Sequence, residues 1–384
     1  MDFELSEEQG MLKDSVERFV RDNYEFSQRK ILAVAQLGHS AEYWTTFAEM
    51  GWLALPFAEE DGGLGGSAVD VAVLTEAFGA GLTLEPYIAS VMLGGKLVEA
   101  LGNEAQKSEI LPALAEGRLK LALAHNEPNA RFNLSHVETA ASPAGDGYLL
   151  DGRKSVVLHA VSADKILIVA RLTGDAGDAD GLGVFIVDND TSGMTRQDYA
   201  TVDSGRASDI RLSQVEVTKH ALLGGSVDAL PALQSVVDGA ITAVCAEAVG
   251  AMNAEAVGAM NKVLDITKEY TAVRTQFGKA IGDNQVIQHF LVDMFTAAEE
   301  AKALTDMTTM RLAEGAENAS LLVSAMKAKV GEAARFVGAK GVQLHGGIGM
   351  TDEYTIGHYF KRLMAIDMMF GDSRFHLNRF ADAI

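Results

Sequence analysis

The chain has 384 residues, of which 48% are hydrophobic and 22% charged, a composition typical of a globular protein with a sizeable core. Its 32 basic and 53 acidic residues give a formal net charge of −21. This acidity disfavours nucleic acid or an anionic membrane surface as the main partner, because both require positive charge. The single cysteine, Cys245, excludes an intrachain disulfide and a cysteine-rich metal site.

Targeting and metal-binding signals are equally sparse. The first ten residues are acidic and polar where a signal peptide would be basic and then apolar. No run approaches the roughly 18 uninterrupted apolar residues of a membrane helix. The nine histidines show no metal-ligand spacing such as HExxH. We therefore expect a soluble cytoplasmic protein that binds no metal and does not insert into a membrane.

The first 120 residues have the pattern of a helical domain. Apolar residues recur at helical spacing in 12–20, 41–50 and 69–78. A glycine cluster at 60–66 interrupts the helices, but no strand precedes it and no lysine follows it as in a Walker loop. We interpret this cluster as a loop that needs positive φ angles rather than as a phosphate site.

The middle of the chain changes to short β-type runs between Gly/Asp turns. These runs cover residues 147–152, 165–170, 184–187 and 210–217. Their spacing predicts a compact β-barrel or sandwich domain over 121–222. A Rossmann unit is excluded, because the region is β-rich and no GxGxxG follows a strand.

The last part is helical again and rich in Ala, Met, Leu and Glu. We expect long helices at 229–270, 285–313 and 319–344. The predicted fold class is therefore α+β multidomain: an N-terminal helical domain over 1–120, the β domain over 121–222, and a C-terminal helical bundle over 223–384.

An octapeptide is repeated in tandem within the first of these helices. Residues 246–253 and 254–261 both read AEAVGAMN. Eight residues rotate a helix by about 80° and lengthen it by roughly 12 Å, so the two copies cannot present one face to the same neighbours. We interpret the repeat as a tandem duplication, or a sequence error, whose extra turns are absorbed near the helix start.

Two segments of the C-terminal region carry residues suited to a large cofactor. Arg274-Thr275-Gln276-Phe277-Gly278 offers a planar guanidinium for a pyrophosphate and an aromatic ring for a purine. In Gln343-Leu344-His345-Gly346-Gly347 the paired glycines allow close approach of a ligand to the backbone. Each alone is also compatible with a surface charge or a helix C-cap.

Together with Gln285, eleven residues after Arg274, the two segments resemble the acyl-CoA dehydrogenase family. The resemblance covers nearly the whole chain, including the PFAEEDGGLGG turn, Asn126-Glu127-Pro128 and residues 150–154. It implies FAD, tetrameric assembly, a C-terminal four-helix bundle and α,β-dehydrogenation of an acyl-CoA thioester. In that reaction a carboxylate removes the α-proton while the β-hydrogen leaves as hydride to the flavin.

The sequence departs from the family at the position of this base. The family's Tyr-Glu-Gly-Thr run matches residues 370–373, which puts Gly371 where the glutamate would be. Asp372 is one residue along and one methylene shorter, and is a weak substitute. Some relatives place the base on the first helix of the bundle, where this chain has Asp238, Gly239 and Ala240. For both aspartates we expect a solvated surface carboxylate.

The side of the site that would face the flavin ring is also altered. The resemblance implies a threonine at Asn126, a serine at Phe132, a tryptophan at Val156 and a threonine at Leu158. Asn126 can still donate a hydrogen bond, whereas Val156 and Leu158 cannot.

This pattern is similar to that of the small subunits of two-subunit acyl-CoA dehydrogenases, such as pimeloyl-CoA dehydrogenase. Our first hypothesis is a subunit that completes the FAD site of a homologous, glutamate-bearing partner. The second is a self-sufficient homotetramer with a displaced base, and the third is a silent scaffold that binds CoA thioesters without flavin. The first hypothesis assigns cofactor binding to Arg274, Gln276, Phe277, Gln285, Gln343, Gly346 and Gly347.

Overall fold

The structure, a computed structural model, describes residues 5–249 and 258–383. The chain divides into two compact units that are discontinuous in sequence. The first unit comprises Met1–Ile31, Ser67–Thr83 and Ile241–Ile384, and the second comprises Leu32–Gly66 and Leu84–Ala240. Each unit has its own core and is described separately.

Helices dominate both ends of the chain, as the sequence predicts. Several begin at capping boxes, in which Ser6, Ser67 or Asn103 exchanges hydrogen bonds with the third helical residue. A π-helical segment covers Tyr87–Gly95. The helices are α1 Glu7–Asn23, α2 Phe26–Val34, α3 Ala41–Glu49, α4 Ala68–Gly81, α5 Lys96–Leu101, α6 Glu104–Ala115, α7 Leu230–Val249, α8 Ala259–Val273, α9 Gln285–Ala313, α10 Ala319–His345, α11 Ile356–Met368 and α12 Ser373–Asp382.

Helix α10 is the centre of the first unit and contacts α8, α9, α11 and α12. Small residues on α10 permit close packing. A Cβ placed on Gly338 would lie 2.9 Å from the ring of Phe360, and one on Gly341 would lie 2.6 Å from Val263. This bundle determines where the ends of α8 and α10 lie relative to each other.

A seven-stranded sheet organises the second unit. Its order is β1-β4-β2-β3-β7-β6, with β5 also paired to β4. β1 runs parallel to β4, and the hairpin-connected pairs are antiparallel. The strands are β1 Leu121–Ala124, β2 Ala140–Ala144, β3 Gly147–Leu158, β4 Lys165–Arg171, β5 Leu182–Asp188, β6 Met194–Ala200 and β7 Arg206–Thr218.

Four of these strands contain the runs expected from the sequence, whereas β1, β2 and β6 were not predicted. The residues of β6 are mostly polar and exposed because this strand lies at the edge of the sheet and pairs only with β7. The core is formed by buried side chains such as Leu150, Ile166 and Phe185. The glycine turn was predicted correctly, since Gly62 and Gly65 have φ angles of 83° and 68°.

The single helix expected over 229–270 is wrong. Helix α7 is described to Val249, and α8 begins at Ala259 after Gly258, whose backbone is extended. Eight of the repeat's sixteen residues, 250–257, lie outside the described residues, so the expected placement of the extra turns stays a prediction. The flanking halves, 246–249 and 258–261, together make up one octapeptide.

Within the described ranges, one helix is long and apolar enough to cross a membrane. It is α7, and 78% of its most apolar window is buried inside the protein.

Candidate functional site

Arg274 stands directly after the last residue of α8. Its backbone leaves helical geometry, with φ −69° and ψ 112°, while its N–H still donates to the Tyr270 carbonyl at 2.9 Å. The arginine is exposed. Its guanidinium is thus placed at the surface, at the start of a segment that turns away from the helix.

A two-stranded hairpin follows and carries the next predicted residues. Thr275–Gln276 (β8) pairs with Lys279–Ala280 (β9). Phe277 and Gly278 form the turn, both with positive φ (53° and 83°), as a type I′ turn requires. The ring of Phe277 is 101% exposed. The ring is therefore free to contact a ligand or another chain.

Gln285, the first residue of α9, is also exposed and lies just beyond this hairpin in the chain. Apolar side chains surround these positions in sequence and remain in solvent. Val273, before the hairpin, is 77% exposed, and three residues of α9 are more than half exposed: Val286, Val292 and Phe295. These exposed apolar side chains lie at the end of α8 and along α9, before and after the hairpin in the chain.

The second predicted segment lies at the end of α10. The helix ends at His345, and Gly346 takes a φ of 64°. Gln343, Gly346 and Gly347 are exposed, and a Cβ built on either glycine meets nothing within 4 Å. The backbone of this turn is therefore open to close approach by a ligand.

The structure connects the two segments through a contact that the sequence did not predict. The ring of Tyr270 stacks on His345 with a centroid distance of 4.4 Å and an interplanar angle of 26°. Tyr270 precedes Arg274 by one helical turn, and His345 directly precedes Gly346. The helical spacing of Tyr270 and Arg274 was a usable signal, but nothing in the sequence indicated its contact with a residue 75 positions away.

The position at which the family resemblance implies the base, Gly371, is closed. Gly371 is buried and has a φ of 116°, a conformation that favours glycine. A Cβ there would lie 2.5 Å from Cδ1 of Phe375 and 2.7 Å from Nε2 of His376. His376 is buried, and its Nε2 bonds the carbonyl oxygen of Phe370 at 3.0 Å. The loop is therefore built around a glycine.

Neither aspartate is the solvated surface group expected from the sequence. Asp372 is half-buried and caps α12, because its Oδ1 accepts the backbone N–H of Phe375 at 2.8 Å. Asp238 is 3% exposed, and its Oδ1 accepts a hydrogen bond from Nε2 of Gln234 at 2.9 Å. The expectation is thus wrong outright for Asp238, and the Asp372 carboxylate has a structural use.

A buried lysine supports the loop that contains Gly371. Nζ of Lys327, on α10, donates to the carbonyls of Ile366 and Asp367 at 2.6 and 2.8 Å, at the end of α11. Burial lowers the pKa of Lys327. The Asp367 carboxylate in turn accepts the hydroxyl of Ser373 at 2.6 Å and pairs with Arg335 at 3.3 Å. These bonds fix both ends of the turn between α11 and α12.

In the second unit, one contact joins two of the stretches expected to face a flavin ring. The carbonyl of Asn126 accepts the N–H of Ser155 at 2.9 Å, next to Val156. Val156 is 47% exposed with a φ of 52°, a strained backbone for a β-branched residue. Leu158 and Phe132 are half-buried. This patch therefore presents mainly apolar side chains.

A buried ion pair flanks this contact in sequence, because Glu127 follows Asn126 and Lys154 precedes Ser155. Nζ of Lys154 lies 2.6 Å from Glu127 Oε1, and the same carboxylate accepts the N–H groups of Glu138 and Thr139. Burial lowers the pKa of Lys154 to about 8 despite the opposing charge of Glu127. The pair fixes the 126–139 loop against β3. No metal-ligand cluster occurs among the described residues.

Comparison with known proteins places these features in a family. Three family profiles match consecutive parts of the chain: the N-terminal domain of acyl-CoA dehydrogenase over 6–118, the middle domain over 122–215 and the C-terminal domain over 246–384. A probable acyl-CoA dehydrogenase of Bacillus subtilis, YngJ, is 30% identical over 369 residues, which cover 93% of this chain and 92% of that protein.

Solved structures share the fold at lower identity. PigA with FAD and proline superposes with a TM-score of 0.90 at 24% identity, covering 100% of this chain and 99% of that one. The ChsE4-ChsE5 complex of Mycobacterium tuberculosis gives 0.87 at 23% identity, with 100% and 98% covered. Proteins of this family bind FAD and are oxidoreductases that act on CH–CH bonds. The chain belongs to the acyl-CoA dehydrogenase family.

Proposed function

We propose that this chain is the small subunit of a two-subunit acyl-CoA dehydrogenase and completes the FAD site of a homologous, glutamate-bearing partner. One contrast carries the proposal. The hairpin of Arg274 and Phe277 is fully presented to solvent, whereas the position of the base, Gly371, is closed by Phe375 and His376. A subunit that donates cofactor contacts needs the exposed hairpin. Because it performs no proton transfer, it has no need of an open position for a base.

The donated residues fit one end of FAD. The Arg274 guanidinium can pair with a pyrophosphate through two N–H groups, and the exposed ring of Phe277 can stack on a purine. Gly346 and Gly347 leave room for phosphate oxygens next to the backbone. Gln276, Gln285 and Gln343 are exposed amides that supply further donors and acceptors.

The chain's own residues do not support proton abstraction. FAD, when bound, accepts the hydride that leaves the β-carbon of the acyl group; the α-proton needs a carboxylate base. Gly371 has no side chain, and Asp372 already accepts a backbone N–H at the start of α12. Asp238 is buried and hydrogen-bonded to Gln234. The partner's glutamate supplies the base in this proposal.

Apolar exposure favours assembly with a related chain. Val273, Val286, Val292 and Phe295, which precede and follow the donated hairpin in the chain, stay in solvent, and a tetramer of two kinds of subunit would cover them. The ChsE4-ChsE5 complex, which this chain resembles in fold, is itself named for two different chains. We place the assembly in the cytoplasm, in line with the acidic composition of the chain.

Two other functions compete with this proposal. A self-sufficient homotetramer would need a displaced base, and Asp372 is the candidate nearest to Gly371; its capping bond weighs against it. A flavin-free scaffold for CoA thioesters would have no use for an exposed Phe277 next to Arg274.

For the substrate we propose a medium-chain dicarboxylyl-CoA. The proposal rests on the likeness of residues 154–159, 343–350 and 357–363 to the small subunit of pimeloyl-CoA dehydrogenase.

The test is Arg274→Ala in the pair reconstituted from this chain and a glutamate-bearing acyl-CoA dehydrogenase subunit of the same genome. Loss of a charge-assisted pair with the pyrophosphate should weaken FAD binding at least about tenfold. Flavin content after gel filtration and the dissociation constant from titration of the flavin-free pair measure this. Arg311→Ala, an exposed arginine of α9 paired with Glu314, is the control and should leave flavin binding unchanged. Equal flavin retention by both variants would refute the proposal.

A further inference from the structure

We propose that Tyr270 is a positioning residue that holds the two cofactor-binding segments, 274–278 and 345–347, in one fixed relation. The inference rests on the proposed function, since it concerns the same donated half-site. Tyr270 contacts both segments through different groups, and each contact bears on the residue that begins the segment.

The first contact is through the backbone. The carbonyl of Tyr270 accepts the N–H of Arg274 at 2.9 Å, the last bond of α8 before the chain turns into the hairpin. The point at which Arg274 leaves the helix is therefore set relative to Tyr270. The hairpin closes back on this point, because the N–H of Ile281 donates to the Arg274 carbonyl at 2.9 Å.

The second contact is through the side chain. The Tyr270 ring stacks on His345, and its hydroxyl donates to the His345 carbonyl at 3.4 Å. That carbonyl belongs to the last residue of α10, directly before Gly346 turns the chain with a φ of 64°. Because glycine restrains its own backbone weakly, the orientation of this turn depends on what holds His345.

The His345 ring has few other restraints. Its Nδ1 lies 2.8 Å from the carbonyl oxygen of Gly341, which can only accept, so Nδ1 carries the hydrogen. Nε2 is buried and has no hydrogen-bond partner among the described residues. The remaining contacts are aromatic: Tyr270 at 4.4 Å and Tyr354 at 5.2 Å. Stacking thus holds the imidazole that precedes the glycine turn.

A ligand that spans both segments would be sensitive to this stack. Arg274 and the backbone of Gly346 and Gly347 bind one molecule more tightly when their separation is fixed beforehand, since ordering them on binding costs free energy. Removing the ring of Tyr270 should therefore weaken binding of FAD beyond any loss of fold stability.

The experiment compares Tyr270→Phe, Tyr270→Leu and Tyr359→Phe in the reconstituted pair. FAD titration of the flavin-free pair gives the dissociation constant, and thermal unfolding gives Tm. Tyr270→Phe keeps the stack and loses one hydrogen bond, so a change of about threefold is expected. Tyr270→Leu loses the stack and should weaken binding at least about tenfold. Tyr359→Phe removes a buried hydroxyl that bonds the Ala80 carbonyl and should lower Tm without changing FAD affinity.

Three outcomes separate the claims. A large loss in Tyr270→Leu that is mostly rescued in Tyr270→Phe supports the positioning role. Equal FAD affinity, within about twofold, for wild type and Tyr270→Leu overturns the positioning role. If Tyr270→Leu does not fold, Tyr354→Leu is measured instead, because it removes the other aromatic neighbour of His345. Loss of FAD in Arg274→Ala but not at Tyr270 refutes only this inference, whereas no effect of Arg274→Ala refutes the proposed function itself.

Discussion

At the scale of single residues, Gly371 is the most informative position in the chain. A glycine that merely replaced a glutamate would leave an empty place for the lost side chain. Here the ring of Phe375 and the imidazole of His376 lie within 2.7 Å of the place a Cβ would take, and φ is 116°. The loop has thus adapted to glycine, which ties the loss of the base to the architecture of the whole turn.

Gly371→Glu is accordingly predicted not to restore a base. The clash and the positive φ should lower the free energy of unfolding by about 3 kcal/mol. The chain alone should still fail to exchange the α-proton of an acyl-CoA in deuterated buffer. Gly239→Ala, where a Cβ meets nothing within 4 Å, is the control and should keep full stability. A well-folded Gly371→Glu protein with dehydrogenase activity of its own would contradict this reading.

His376 gives the same loop a dependence on pH. Burial first, and then the charges of Lys327 and Arg379, lower the pKa of His376 from 6.5 to about 4, although the Phe370 carbonyl and the Asp372 carboxylate oppose this. The folded state therefore prefers the neutral ring. Its stabilising effect is complete above pH 6.5 and is lost as the pH falls towards 4.

We expect the free energy of unfolding to fall by up to about 3 kcal/mol between pH 6.5 and 4 because of this residue. In His376→Gln, a neutral residue of similar reach, that part of the pH dependence should disappear. Urea unfolding at several pH values measures the difference between the two slopes. Parallel curves for wild type and variant would show that His376 does not titrate as described.

At the scale of elements, the tandem repeat shows how a helix register is kept. Asn261 donates from Nδ2 to the carbonyl of Val249 at 3.1 Å, twelve residues away. Without the eight duplicated residues the two would be four apart, which is the spacing of one helical turn. The half of the repeat before the undescribed stretch and the half after it thus meet as parts of a single copy.

One glutamate of the repeat, Glu247, has a fixed partner in the described part of the chain. Glu247 is buried, and its oxygens pair with Arg362 at 2.6 and 2.7 Å. Glu247→Gln should lower the free energy of unfolding by about 3 kcal/mol, because it leaves a half-buried arginine without its charge partner. Glu332→Gln, the same change at an exposed glutamate of α10, is the matched control with an expected change below about 0.5 kcal/mol. Equal losses in denaturant unfolding would contradict this assignment.

Much of the element order follows from the sequence, because helical periodicity and short β runs are local signals. The bounds of α9 and α10 were close to those expected, since each helix has a long periodic pattern. Strand β6 escaped because edge strands carry polar residues. The site is harder to predict from the sequence. An aspartate such as Asp238 is expected at the surface, and only the packing of the helices buries it. The contact of Tyr270 with His345 depends on how two helices distant in sequence are oriented in the bundle.

At the scale of the whole molecule, the proposed function divides a flavin site between two chains. In that proposal this chain would supply the exposed arginine, aromatic ring and glycine turn of its first unit, while its Gly371 loop is closed and its Val156 patch is apolar. The apolar residues left in solvent on α9 give the assembly a surface to bury. The proposed function requires that the chain has a partner in order to retain FAD.

The visible absorption spectrum tests that claim most directly, measured on the chain purified alone and after co-expression with a glutamate-bearing subunit. We predict a colourless protein alone and a yellow complex with the partner, since only the complex joins the donated segments to an intact flavin-ring side. Bound flavin near one per chain in the protein alone would contradict the account and point to a homotetramer with a displaced base. A colourless complex would also contradict it, and the flavin-free scaffold for CoA thioesters would then be the remaining hypothesis.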